Sequence, residues 1–232
     1  MARLTEGWLR EARSFLEWQV RLGVDEVFLP REEPHHQGTG SLDAIRAELG
    51  ECTRCRLNLT RTHIVFGEGN SHARLMFVGE GPGADEDREG RPFVGRAGKL
   101  LTKMIEAMGL DRSQVYIANV VKCRPPENRD PGKAEIKECF PFLEAQIQCV
   151  NPEIIVALGR VAAGILLNTR EAVGKLRGTV HNRDGIPVVP TYHPSFLLRE
   201  DRDRRYKAEA WSDLQKVMVF LELPIDGLGD KR

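Results

Sequence analysis

Segments with strand and helix character alternate between Arg74 and Leu221. They predict an α/β protein: a three-layer α/β/α sandwich around a four-stranded, mostly parallel central sheet, plus a helical N-terminal extension. Three observations carry this. Short apolar runs, stopped by glycine or a turn, have the length and character of fully buried strands. Between them lie stretches whose apolar residues recur at three- and four-residue steps, the spacing of one helix face. The composition is that of a globular chain, with 232 residues, 41% hydrophobic and 29% charged.

The elements follow in order. Leu75-Met76-Phe77-Val78 reads as the first strand, stopped by Gly79, and Leu100 to Met108 as a helix closed by Gly109. Val115-Tyr116-Ile117-Ala118 is the second strand and Ala134 to Val150 the second helix, with Pro131 near its start. Ile154 to Leu158 is the third strand, Val161 to Leu167 a helix, Val188-Val189 the fourth strand, and Tyr206 to Leu221 a closing amphipathic helix. Ahead of these, Leu4, Trp8, Leu9, Ala12, Phe15, Leu16 and Val20 form one helical stripe. A polar linker then leads to a short helix, Leu42 to Leu49, capped by Ser41. This divides the chain into an extension and linker at 1–49, a main domain at 50–223 and a tail at 224–232.

Charge narrows the function. Thirty-four Lys and Arg balance thirty-four Asp and Glu, which excludes a protein that holds nucleic acid by bulk charge alone. The balance is uneven along the chain. Residues 1–50 carry six basic and nine acidic side chains, whereas residues 160–207 carry ten basic and five acidic. No apolar run approaches the ~20 residues of a membrane helix, and no signal-peptide core follows Met1. The expectation is a cytoplasmic monomer, associated with the nucleoid in a prokaryote.

In open parallel sheets, ligands bind beyond the carboxyl ends of the strands. Three segments fall there. Gly79-Glu80-Gly81-Pro82-Gly83 follows the first strand, Asn119 the second, and Thr191-Tyr192-His193-Pro194-Ser195 the fourth. The glycine loop lacks the Gly-Lys-Ser/Thr of a phosphate loop, and Glu80, Asp85, Glu86 and Asp87 would repel a phosphate. Each segment alone is as readily structural. Their shared placement is what points to a site. Separately, Cys52 and Cys55 form a C-x2-C pair, with Cys123 and Cys139 far downstream. Four thiolates suit zinc and an iron–sulfur cluster equally on spacing alone.

These motifs resemble the family 4 uracil-DNA glycosylases, the iron–sulfur branch of the uracil-DNA glycosylase superfamily, over roughly residues 50–220. The resemblance rests on four motifs in order: Gly79 to Gly83, Gly90-Arg91-Pro92-Phe93-Val94-Gly95-Arg96-Ala97-Gly98, Asn119-Val120-Val121-Lys122-Cys123-Arg124-Pro125-Pro126, and His193-Pro194-Ser195-Phe196-Leu197-Leu198-Arg199. It implies an enzyme of base excision repair that flips uracil out of single- or double-stranded DNA and hydrolyses its N-glycosidic bond, leaving an abasic site.

Residue by residue, the resemblance places Phe93 as the stacking platform and Asn119 at the O4 and N3–H edge of uracil. It puts the backbone of Gly79, Glu80 and Gly81 along the pocket wall, and His193 at O2. Cys52, Cys55, Cys123 and Cys139 match the ligands of a 4Fe-4S cluster with a structural role. Family 4 has glycine at position 81, where the best-known branch of the superfamily has a water-positioning aspartate. That leaves Glu80 to orient the water, with Asp85 and Glu86 as alternatives.

Ser195, Phe196, Leu197 and Arg199 are candidate DNA contacts, with Phe196, Leu197 and Leu198 as apolar wedges. Arg54, Arg56 and Arg61 place a second basic face beside the cysteines. Cys149 reads as a core residue. Three alternatives remain at this point: a glycosylase for another deaminated base, a non-catalytic metal-containing DNA-binding module, and a sibling that captures uracil DNA covalently. The last needs an extra histidine between Asn119 and the following helix, and none lies there.

Overall fold

The structure, a computed structural model, describes residues 41–199 and 204–224. The stripe expected over residues 4–20 and all but the first residue of the tail expected at 224–232 lie outside the described residues.

Four parallel strands form the centre of the sheet: β2 (Leu75–Gly79), β3 (Tyr116–Asn119), β4 (Ile154–Leu158) and β6 (Ile186–Thr191). The sheet is larger than the sequence suggests. Two short strands, β1 (Glu68–Gly69) and β5 (His181–Arg183), pair antiparallel at its edges, giving six strands in the order β1-β3-β2-β4-β6-β5. Both edge strands are polar and two or three residues long, so neither leaves an apolar run to read. Strands β2, β3 and β4 are buried along their whole length, as expected of a sheet covered on both faces.

Helices α1 (Leu42–Leu49), α2 (Ala84–Glu89), α3 (Arg96–Ala107) and α4 (Lys133–Val150) come before β4 in the chain. Helices α5 (Gly159–Leu166), α6 (Val173–Leu176), α7 (Pro194–Leu197) and α8 (Arg204–Phe220) follow it. One core layer joins Met76, Val78, Ala118 and Ile155 to Leu143 and Ile147 of α4 and Ala162 and Leu166 of α5. The other joins Leu75, Phe77, Ile117 and Val156 to Leu101 and Ile105 of α3 and Leu214 and Val217 of α8. Leu75 and Met76 thus enter opposite layers, as the period-two geometry of a strand requires.

Helix α1 is capped by Ser41, whose side chain accepts from the Ala44 N–H. It packs Ile45 and Leu49 against Phe66 and Phe142. No helix among the described residues is long and apolar enough to cross a membrane.

The chain leaves β2, forms β3 on one side, and returns to β4 on the other side of β2. The carboxyl ends of β2 and β4 therefore bound the crevice where the winding reverses, the place where such sheets bind ligands.

Candidate active site

The site is built from four strand ends. Gly79 and Asn119 are directly paired as the last residues of β2 and β3. The chains continue side by side beyond them, with Val120 N–H donating to Gly79 O and Val121 N–H to Glu80 O. Leu158 and Thr191 pair as the last residues of β4 and β6, bringing Gly159 and His193 onto the same edge. Together these line a cavity of about 410 Å³ whose walls include Glu80, Gly81, Phe93, Asn119, Arg160 and His193. The three segments expected from sequence do converge.

Close approach explains the glycines. A Cβ on Gly79 would lie 2.4 Å from Asn119 Oδ1 and 2.5 Å from Phe93 Cζ. Gly159 has φ +87°, and a Cβ there would lie 2.8 Å from that of His193. Phe93 is itself in the left-handed region, at φ +52°, an uncommon conformation for a bulky residue. Gly98 makes room for it, since a Cβ at 98 would fall 1.9 Å from Phe93 O. The Phe93 and His193 rings lie 5.7 Å apart, centroid to centroid, and 36° from coplanar.

Asn119 is 1% exposed. Its Oδ1 is the only buried side-chain N or O atom among the described residues without a hydrogen-bond partner. An orphaned acceptor of this kind costs about 1–3 kcal/mol and calls for a donor from outside the protein. Its backbone is held firmly. The buried Lys122 Nζ donates to Asn119 O at 2.9 Å and also reaches Gln146 Oε1, while Gln146 Nε2 donates to Phe66 O and Tyr116 Oη.

His193 begins α7, and its Nδ1 accepts the Ser195 N–H at 3.2 Å, with Ser195 Oγ 2.7 Å away. An acceptor at Nδ1 puts the proton of the neutral ring on Nε2. Burial pushes the imidazole down to about 4, only partly opposed by the Glu86 carboxylate. His193 is therefore neutral at physiological pH, with Nε2–H left as a donor.

The four carboxylates of the glycine loop separate by role. Asp85 pairs with Arg88. Glu86 accepts from the Gly83, Val94 and Gly95 amides, and the buried Asp87 accepts from the Thr62 and His63 amides. Asp85, Glu86 and Asp87 also occupy the first turn of α2, where a helix favours negative charge. Only Glu80 has no hydrogen-bond partner among the described residues. Burial, reinforced by Asp130 and opposed by Arg160, raises its carboxyl to about 7. Asp130 and Arg160 form an exposed ion pair at the cavity rim.

Asn128, also in the left-handed region at φ +54°, lines the cavity. Sequence reasoning missed it, along with Asp130 and Arg160. Its signal lies in the loop after Cys123, whose prolines suppress regular structure and leave polar side chains facing the pocket.

The expectations for DNA-contacting residues are partly corrected. Ser195 and Arg199 are exposed and line the cavity. Leu197 is buried against Tyr192 and Ala210, because α7 turns it into the core, so it is not a surface wedge. Phe196 is half-buried, stacked on Tyr192 at 5.0 Å and set edge-on to Tyr206. Leu198, like Phe196, is half-exposed.

Cys52, Cys55, Cys123 and Cys139 line one void, with Leu49, Leu57 and Arg61 around them. Zinc, at about 2.3 Å from each thiolate, would draw the sulfurs to within about 4 Å of one another. Among the described residues no group of three or more His, Cys, Asp or Glu side chains is arranged to hold a metal ion. Four thiols around one void are a donor set that both a zinc ion and an iron–sulfur cluster accept.

Three of the sulfurs receive donors: Arg54 Nη1 at Cys52, Arg61 Nη1 at Cys123 and Lys122 N–H at Cys139. Such contacts stabilise electron-rich thiolates. Cys149 lies apart, packed in the cluster around Phe142.

Of the three arginines expected beside the cysteines, Arg61 is not a surface group. Its side chain is 9% exposed and also donates to Cys52 O. Arg56 pairs with Glu135, and Arg54 lies over the Phe142 ring.

The family model described as "Uracil DNA glycosylase superfamily" matches residues 66–215. The chain belongs to this superfamily. A curated Type-4 uracil-DNA glycosylase of Thermotoga maritima is 45% identical over 183 residues, 78% of this chain and 95% of its own length. The Type-4 uracil-DNA glycosylase of Saccharolobus solfataricus is 43% identical over 204 residues, 82% of this chain and 94% of its own. A Type-5 uracil-DNA glycosylase of Pyrobaculum aerophilum is 35% identical over 146 residues, 56% of this chain and 64% of its own. Similarity to the Type-4 branch thus extends over most of the chain, and it agrees with the resemblance that the four motifs carry.

Proposed function

We propose that the protein is a uracil-DNA glycosylase of the Type-4 kind, releasing uracil from DNA by hydrolysis of its N-glycosidic bond. The observation that carries this is the buried, unpartnered Asn119 Oδ1 of a residue that lines the same cavity as Phe93 and His193. A fixed acceptor there takes the N3–H of uracil. Cytosine offers a lone pair at the same position, which the acceptor repels. Phe93 stacks on the flipped base, a contact worth about 1–3 kcal/mol.

As the glycosidic bond breaks, negative charge collects on uracil O2. His193 Nε2–H donates to that oxygen without giving up its proton, the arrangement that stabilises an oxyanion. Glu80, which has no hydrogen-bond partner among the described residues, orients the attacking water. Arg199 and Ser195 contact the strand at the pocket mouth, and Leu198 enters the space the base vacates.

The direct test incubates the protein with single- and double-stranded uracil oligonucleotides and cleaves abasic sites with alkali. Strand scission at uracil, and none at cytosine or thymine, supports the reading. Binding without scission would favour a non-catalytic module. Release only from hypoxanthine or xanthine strands would favour a glycosylase for another deaminated base.

The role of Glu80 predicts a pH dependence. Its carboxyl titrates at about 7, so the carboxylate that holds water is lost as pH falls through 7 and is full above it. Single-turnover uracil release should rise with pH across this range and level off near pH 8. Glu80→Gln should lower the plateau and remove the rise. A rise that survives in Glu80→Gln would assign it to another group. His193, neutral above about 4, adds no step between pH 5 and 9.

Cys52, Cys55, Cys123 and Cys139 would hold a 4Fe-4S cluster. When bound, it ties the segment before β1 to the loop after β3 and to α4. Freshly purified protein should be brown, with about four irons per chain. Colourless, zinc-loaded protein from iron-replete cells would overturn the assignment.

A further inference from the structure

The uracil platform, Phe93, sits in a loop that its own backbone preferences do not favour. Two side chains from outside that loop hold it. Arg112, in the connection between α3 and β3, donates from Nη2 to Pro92 O at 2.9 Å and from Nη1 to Phe93 O at 3.2 Å. On the amide side, Glu86 Oε1 accepts from Val94 N–H and Gly95 N–H, each at 2.9 Å. Four consecutive residues thus have a backbone group fixed, the carbonyls by a cation and the amides by an anion.

Arg112 is itself fixed. Its Nη2 forms an ion pair with Glu68 of the edge strand β1, and its Nη1 also donates to Thr102 Oγ1 on α3. Glu68 takes a second cation, Arg91, at 2.9 Å.

We propose that Arg112, braced by Glu68, is the positioning residue that holds the Phe93 ring at its stacking angle in the pocket. A left-handed conformation at a bulky residue persists only where its surroundings over-determine it. Here the orientation of the Phe93 peptide sets where the ring projects. The ring has little latitude, because it already closes on Gly79 and faces His193. The short strand β1 thereby acquires a task beyond sheet closure: it supplies the counter-charge that keeps the Arg112 fork aimed at two carbonyls. This inference rests on the reading of the pocket as a uracil site.

The test compares Arg112→Met, Arg112→Lys, Glu68→Gln and, as a control, Arg91→Met, which removes the other cation on Glu68 but leaves the Arg112–Glu68 pair and the platform carbonyls in place. Steady-state release is measured on a uracil oligonucleotide, together with inhibition by free uracil. The uracil inhibition constant does not depend on the fraction of active protein, so a merely structural role would leave it unmoved.

For Arg112→Met the expected loss in kcat/KM is about fivefold to about 150-fold, the range a base–aromatic stack is worth. It should fall chiefly on KM, since stacking acts in the bound complex and the transition state alike. The inhibition constant should rise in parallel. Arg112→Lys and Glu68→Gln should fall between Arg112→Met and the parent, and Arg91→Met should match the parent. If Arg112→Met does not fold, the lysine and glutamine variants carry the same test.

An unchanged inhibition constant in the Arg112 and Glu68 variants, whatever their melting temperature, overturns the clamp alone. A parent protein that neither releases uracil nor is inhibited by it overturns the pocket reading, and the clamp with it.

Discussion

His193→Ala should slow single-turnover uracil release by about 10²–10³-fold, the usual cost of removing one donor from a developing oxyanion. The geometry makes the prediction specific. Nδ1 is committed to the Ser195 N–H, so only Nε2–H is free to meet O2, and burial keeps the ring neutral. The substitution removes that donor and leaves the Phe93 platform and the Asn119 amide in place. DNA binding and free-uracil inhibition should therefore change far less than the chemical step. His193→Gln, which keeps a donor on a flexible stem, should recover part of the rate. The measurement is rapid-quench release from a uracil oligonucleotide, with folding checked by circular dichroism. Release within tenfold of the parent in His193→Ala would remove His193 from the chemistry.

The histidine is legible in the sequence because it lies two residues past a strand end, a position that topology makes functional. The same logic picks out Gly79 and Asn119, and buried parallel strands announce themselves through apolar runs. Edge strands do not. Glu68-Gly69 and His181-Asn182-Arg183 carry no apolar signal; the first pairs with a strand distant in sequence, and the second with β6 just across the Asp184-Gly185 turn. The alternating pattern therefore shows four strands of the six.

Side-chain commitments are less legible still. Glu80, Asp85, Glu86 and Asp87 look alike in sequence, yet three are held by an arginine or by backbone amides and one is not. Arg61 reads as a surface charge, but its guanidinium finds a carbonyl and a sulfur in the interior. Leu197 reads as a wedge, but one short helical turn directs it inward and leaves Leu198 half-exposed. Composition and spacing say which groups are available. Which of them are already engaged depends on contacts between distant segments, and these decide the chemistry.

Gly79→Ala offers the second large effect, and it tests the pocket without touching a reacting group. A single added methyl would sit 2.4 Å from Asn119 Oδ1 and 2.5 Å from Phe93 Cζ, well inside contact distance for both. The strand cannot yield readily. Gly79 is the last residue of a fully buried central strand, paired with Asn119 on one side, and its carbonyl accepts the Val120 N–H. The side chains must give way instead. Phe93 would be pushed into the cavity that the base needs, and the Asn119 amide displaced from the N3–H edge.

Ring stacking and amide pairing fail together, so the expected loss in kcat/KM is at least about 10²-fold, as for reacting groups misplaced by about 1 Å. Unlike His193→Ala, this variant should also lose inhibition by free uracil, because the pocket no longer admits the base. Overpacking a buried site typically costs about 1–3 kcal/mol of stability, so a lower melting temperature with a cooperative transition is expected. The discriminating companion is Gly81→Ala. Its nearest obstruction is the Val121 Cγ2 methyl, at 2.8 Å, which is neither platform nor amide. Gly81 also lines the cavity, so that variant should weaken free-uracil inhibition, but much less than Gly79→Ala does. Were Gly79→Ala to retain parental uracil inhibition, Phe93 and Asn119 would not form the walls of the base pocket.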